Sequence, residues 1–151
     1  MKQQYQAYVQ ASHTVSKTKQ IVMLYDGTIR FLQQAKEAIR DKRIEDRYRL
    51  LLKASEVIYG LQSALDFENG GYVAKVLYNF YSSIDMKILN INHTNSMEAC
   101  DAVISDLKQM RDVWADINAN SSSSEVAPVK PQETVPQQAS NEPPANITLS
   151  A

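Results

Sequence analysis

The first 118 residues of this 151-residue chain contain no proline, and only four glycines, Gly27, Gly60, Gly70 and Gly71, interrupt them. A stretch so poor in helix breakers argues for long helices. Cysteine is almost absent: Cys100 stands alone, which excludes an internal disulfide framework and fits a reducing, cytoplasmic compartment. No run of about 18 apolar residues exists, so no helix is expected to span a bilayer. The start, Met1-Lys2-Gln3-Gln4-Tyr5, lacks the apolar core of a signal peptide. Neither sign of charge dominates. With 16 basic against 17 acidic residues, bulk electrostatics nominates neither nucleic acid nor an anionic membrane.

What is present is apolar periodicity. A first helix is expected from about Lys17 to Asp41, capped by Ser16, with a seam at Ile21, Leu24, Thr28, Phe31, Ala35 and Ala38 and a second rail at Val22, Tyr25, Ile29 and Leu32. A second runs from about Ile44 to Leu65 on Ile44, Tyr48, Leu51, Ser55, Ile58 and Leu65. A third, about Gly71 to Ile91, is built on Val73, Leu77, Phe80, Ile84, Ile88 and Ile91. Asn95-Ser96-Met97-Glu98 resembles a capping box, opening a fourth on Cys100, Val103, Leu107, Met110, Trp114 and Ile117. Short connections force neighbours to run antiparallel, so the fold expected is all-α, an antiparallel up-down four-helix bundle. All five prolines fall beyond residue 119, among serine, glutamine and asparagine. The bundle domain is therefore placed at 1–118, including a short N-terminal segment, and a disordered tail at 119–151.

Catalytic and metal chemistry lack their parts. A di-metal bundle site needs Glu-x-x-His on two helices. The only histidines, His13 and His93, follow Gln10 and Asn90 by three residues. Cys100 lies in a seam with no histidine to activate it. Gly70-Gly71 follows a helix rather than a strand, so it is no phosphate loop. No catalytic, metal or cofactor-binding residue is assigned. The cluster Arg40, Lys42, Arg43, Arg47, Arg49 and Lys53 is diluted by Asp41, Glu45 and Asp46; a solvated face is preferred to a nucleic-acid site.

The apolar surface of the third helix exceeds what a bundle buries. At about 100° per residue its apolar arc covers roughly 240°, against a usual stripe somewhat over 100°. Tyr72, Val76, Tyr78 and Tyr81 flank the seam; on the second helix Leu50, Leu52, Val57 and Tyr59 do the same. Tyr5, Tyr8 and Val9 add apolar side chains to the polar leader. Surplus on two consecutive helices points to a partner groove, hence to a binding protein.

Five blocks then resemble one family in order and spacing: Tyr5-Gln6-Ala7-Tyr8; Ile21 to Gly27, reading IVMLYDG; Leu65 to Gly71, reading LDFENGG; Leu77 to Tyr81; and Leu107 to Trp114. Together they resemble FliS, the flagellin-specific export chaperones, over residues 5 to about 118. The chain departs from the family's pattern at Lys17, where proline usually follows the cap, and at Tyr72, where glutamate is common.

The resemblance implies a monomeric cytoplasmic chaperone, not an enzyme, without cofactor, nucleic acid or membrane insertion. It would bind the C-terminal segment of flagellin 1:1 by helix-in-groove recognition, prevent premature polymerisation, and deliver the client to the flagellar type III export apparatus. Groove contacts are expected at Leu51, Ile58, Tyr59, Gln62, Tyr72, Val76, Asn79 and Tyr81. Tyr5 and Tyr8 match the segment that covers the groove or engages the export gate. Gly27 in mid-helix fits close approach of another backbone, Gly70-Gly71 a chain reversal, and Asp66 and Glu68 a capping role at that turn. The alternative is a helical-bundle adaptor or regulator serving another exported client.

Overall fold

Each helix begins where a side chain or a backbone exception allows it. In the computed structural model, which describes residues 2–3 and 16–124, Ser16 Oγ accepts the Lys19 N–H at 3.2 Å and opens α1, Lys17–Arg40. That helix ends in a Schellman-type reversal: Arg43 N–H donates to the Ala38 carbonyl and Lys42 N–H to that of Ile39, with Lys42 held at φ 57°. Helix α2 follows as Ile44–Ser63. Asp66 then accepts the Glu68 and Asn69 N–H groups, capping α3, Phe67–Thr94. Those hydrogen bonds, that from Asn69 first, hold the Asp66 carboxyl below its ordinary range. Asn95, in the left-handed region at φ 55°, ends α3, and Ser96 Oγ accepts the Ala99 N–H to start α4, Met97–Ser124.

The four helices close a ring in which α1 packs on α2 and α4, and α3 on α2 and α4. Polar ties fix the antiparallel sense. Ser16 and Thr18, at the start of α1, both donate to Asn118 near the end of α4, whereas Lys36 reaches Asp101 near the start of α4. Gln62 Nε2 donates to the Tyr78 carbonyl and to Ser82 Oγ, joining α2 to α3. Across the ring, Tyr25 of α1 donates its hydroxyl to the Tyr81 hydroxyl at 3.0 Å, with ring centroids 6.3 Å apart. Both tyrosines are fully buried among aliphatic side chains.

The expected fold holds, but the rotation of several helices differs from the predicted seams. On α3 the buried set is Ala74, Leu77, Tyr81, Ile84, Ile88 and Ile91, a strict three–four alternation. Val73 is 62% exposed, and Phe80 lies only against the edge of the core. On α1 the buried arc falls between the two rails, taking Tyr25, Ile29 and Leu32 from one and Thr28, Ala35 and Ala38 from the other, which leaves Leu24 exposed. A helix with two neighbours in a ring points the line between its rails inward. On α2, Ile44 and Tyr48 are exposed, and Leu50, Leu51, Ala54, Ile58 and Leu61 are buried.

Boundaries shift as well. Asp66 caps a first turn of α3 from Phe67, and Gly71, at φ 50° and ψ −124°, breaks it from the long helix expected from about Gly71. The cap of α4 is Ser96, with Asn95 serving as the left-handed end of α3. Helix α4 continues past Ala119 to Ser124, since serine and asparagine lower helix propensity without forbidding it. The rest of the expected tail, and Tyr5 and Tyr8, lie outside the described residues.

Gly71 sits in a backbone region that side-chained residues adopt only under strain, and a Cβ at Gly70 would fall 2.8 Å from that of Ala74. Gly27 does not receive another backbone: a Cβ there, as at Gly60, would meet no atom within 4 Å. Gly71→Ala is therefore expected to cost about 1–3 kcal/mol in urea unfolding, while Gly60→Ala gains about 0.5–1 kcal/mol.

Burial, reinforced for Tyr25 by the hydrogen bond to Tyr81, raises the titration of both core phenols above the ordinary value of 10.0. Tyr25→Phe and Tyr81→Phe should each cost about 1 kcal/mol, and the double variant less than the two together. Their contribution is complete below pH 10 and lost as pH rises above it, where the unfolded chain ionises and the folded one stays protonated. The double variant should accordingly show a shallower alkaline decline of stability.

Candidate functional site

Burying Tyr81 turns Val76 outward, and Val73, just after Gly71, stands exposed beside α4. Helices α3 and α4 are the most loosely packed pair of the ring. Between them lies an apolar hollow of about 290 Å³, walled by Tyr72, Val73, Val76 and Leu77 on one side and Met110, Val113, Trp114 and Ile117 on the other. It continues past Met110 and Val113 into a second hollow of about 270 Å³ under Phe80, Asp106 and Gln109. The floor is fixed by buried Leu77 and half-buried Trp114, while Val73, Val113 and Ile117 stay accessible on the walls. The first hollow offers shape and apolar area, with polar side chains, Asp106 and Gln109, only in its continuation.

The residues expected at a groove divide into three sets. Tyr72, 81% exposed, and Val76 stand in the α3–α4 trough. Tyr59 and Asn79 are exposed elsewhere, and Gln62 is spent on the α2–α3 tie. Leu51, Ile58 and Tyr81 are core residues, each no more than 2% exposed, with Leu51 also at the base of a hollow between α2 and α3. The reason is the phase of each helix: the ring buries the side chains that a two-dimensional projection placed on its flank. Sequence reasoning missed the α4 wall. Met110, Trp114 and Ile117 carry the same spacing as Cys100, Val103 and Leu107, and only the position of α3 decides that the lower half of that seam stays open.

A second hollow of about 310 Å³ lies between α2 and α3, bordered by exposed Tyr48, Leu52 and Leu89. It is narrower in apolar content, with Ser55, Asp85 and Asn92 in its walls.

Catalytic machinery is not assembled at either place. Among the described residues no three of His, Cys, Asp and Glu come together as metal ligands. Burial, aided by the neighbouring Asp101 charge and opposed by Lys36, pushes the Cys100 thiol up to about 11. Asp26 and Arg111 form a two-pronged ion pair that locks α1 to α4. No described helix is long and apolar enough to cross a membrane.

A helical bundle whose distinctive surface is an open apolar trough defines a binding protein. The model of the family described as flagellar protein FliS matches residues 1–121. The chain is 33% identical over 118 residues to the flagellar secretion chaperone FliS of Campylobacter jejuni, covering 77% of this chain and 91% of that one. It is 33% identical over 102 residues to the Vibrio cholerae FliS, covering 68% and 75%. The crystal structure of a bacterial flagellar chaperone shares the fold, with a TM-score of 0.67 at 21% identity, covering 78% of this chain and 97% of that one. The chain belongs to the FliS family, a family of flagellar secretion chaperones and not of enzymes.

Because Cys100 is buried and its thiol titrates high, a thiol-reactive chromogenic disulfide at pH 8 should leave the folded protein unlabelled over minutes and label it at once in denaturant.

Proposed function

We propose that the chain is a cytoplasmic export chaperone that binds the C-terminal segment of flagellin as a 1:1 complex of monomers, prevents its premature polymerisation and hands it to the flagellar type III export apparatus. The observation that carries this reading is the apolar α3–α4 trough on a member of a flagellar chaperone family. An amphipathic client helix laid there would cover Val73, Val76, Val113 and Ile117, apolar side chains that solvent now reaches. Tyr72 and Val76 are retained as contact residues, with Tyr59 and Asn79 as outlying ones; Leu51, Ile58, Gln62 and Tyr81 support the walls.

The leader carrying Tyr5 and Tyr8 joins the bundle at Ser16, which is hydrogen-bonded to Asn118, next to Ile117 at the mouth of the trough. That attachment supports a role for the leader as groove cover or as contact to the export gate.

A flagellin C-terminal fragment is expected to co-elute with this protein as a 1:1 complex in size-exclusion chromatography at micromolar concentration. Val73→Asp and Ile117→Asp should weaken binding by roughly tenfold or more each, as burying one aliphatic side chain is worth about 1.5–3 kcal/mol. Their melting temperatures should stay near that of the parent, since both positions are exposed. Unchanged elution on mixing, or undiminished binding by both variants, would refute the assignment, and candidate clients in place of flagellin would then reveal an adaptor for another export substrate.

A further inference from the structure

The corner where α1 turns into α2 has no part in the trough. It carries a hollow of about 330 Å³ whose walls are Ala38, Ile39 and Ile44 and whose rim is Lys42, Arg43 and Arg47, closed by Asn95. Its distance from the trough is large: about 22 residues of α3 separate Val73 from Asn95, or roughly 33 Å at 1.5 Å per residue.

The charges here are unevenly satisfied. Asp41 pairs with Arg40 and Arg43, and Asp46 with Arg43 and Arg49. Two cations remain. Lys42 has no acidic partner among the described residues, and the left-handed conformation it occupies disfavours a side-chained residue by about 1–2 kcal/mol, which is why glycine usually stands there. Arg47 gives one N–H to Asn95 Oδ1, while its buried Nε finds no acceptor among the described residues. Beside them Ile44, the first residue of α2, is 65% exposed with no helix to cover it.

We propose that this corner is a second docking site, for an acidic segment of another protein that seats one aliphatic side chain against Ile39 and Ile44 and turns carboxylates toward Lys42 and Arg47. Charge complementarity selects the occupant. The rim is net positive and the cations left over are adjacent to an apolar wall, which suits an acidic–aliphatic peptide. A phosphate backbone would leave the wall uncovered and would compete with Asp41 and Asp46 for the arginines already paired. The site is independent of the client groove, so a chaperone carrying its client could hold both partners at once.

The test uses the full ¹⁵N-labelled chain and an acetylated, amidated Glu-Leu-Glu-Glu-Leu-Glu peptide, followed by amide chemical shifts. Saturable shifts confined to residues 38–47 and 95 are expected. Exposed-site variants Lys42→Glu and Ile44→Ser should each weaken binding by roughly tenfold, with the remaining spectrum unchanged as evidence of folding. Serine in place of the peptide's leucines should weaken it comparably. Equal binding of that serine analogue or of a Lys-Leu peptide would overturn the proposal, as would shifts centred on residues 72–77 and 110–117. Tighter binding of an oligothymidylate of equal charge would overturn it too, by making the corner a nucleic-acid patch.

Discussion

The hydrogen bond between Tyr25 and Tyr81 is the constraint from which the working surface follows. The Tyr25 hydroxyl, buried in a largely aliphatic core, finds its acceptor in the Tyr81 hydroxyl, which brings α1 and α3 to present these residues to one another across the bundle axis. Once Tyr81 points inward the rotation of α3 is settled. At about 100° per residue, Val76 is displaced by roughly 140° from Tyr81 and is thereby excluded from the core. Val73 shares the angular position of buried Ile91 and is exposed because it lies just after Gly71, beside α4 rather than beneath it.

The helices themselves were readable in the sequence because nothing competes with them. Proline-free segments with three–four apolar spacing and recognisable caps at Ser16 and Asp66 have one satisfactory conformation. Rotation was less readable. Val73 and Ala74 lie about 100° apart, on either side of the line through Leu77, and the larger residue is the natural candidate for the core; the structure buries alanine, which lies nearer in angle to Tyr81. Tyr81 was placed among partner contacts for the complementary reason, since a tyrosine beside an aliphatic seam looks amphipathic until its hydroxyl has a partner within the core.

The trough is harder still to read from one helix at a time. The α4 seam is continuous from Cys100 to Ile117, yet only Cys100, Val103, Ile104 and Leu107 are buried. Of the lower residues Met110 and Trp114 are only partly buried at the edge of the core and Ile117 is exposed, opposite the turn of α3 that follows the kink at Gly71. Local signals record that glycine pair clearly. They do not record which neighbour, some 40 residues later in the sequence, stands opposite it. Conversely the basic corner shows in the composition only as a diluted cluster, because charge pairing, which separates Lys42 and Arg47 from their neighbours, exists only in three dimensions.

The way α4 is fastened has a mechanical consequence. It is riveted to α1 at three levels, through Asn118, Arg111 and Asp101, but tied to α3 among the described residues by a single ion pair, Lys87 with Asp106 at 2.6 Å, toward the far end from Gly71. Among the described residues the α3–α4 seam is therefore the less tied of the two, and the trough lies at its Gly71 end, away from the one ion pair that crosses it.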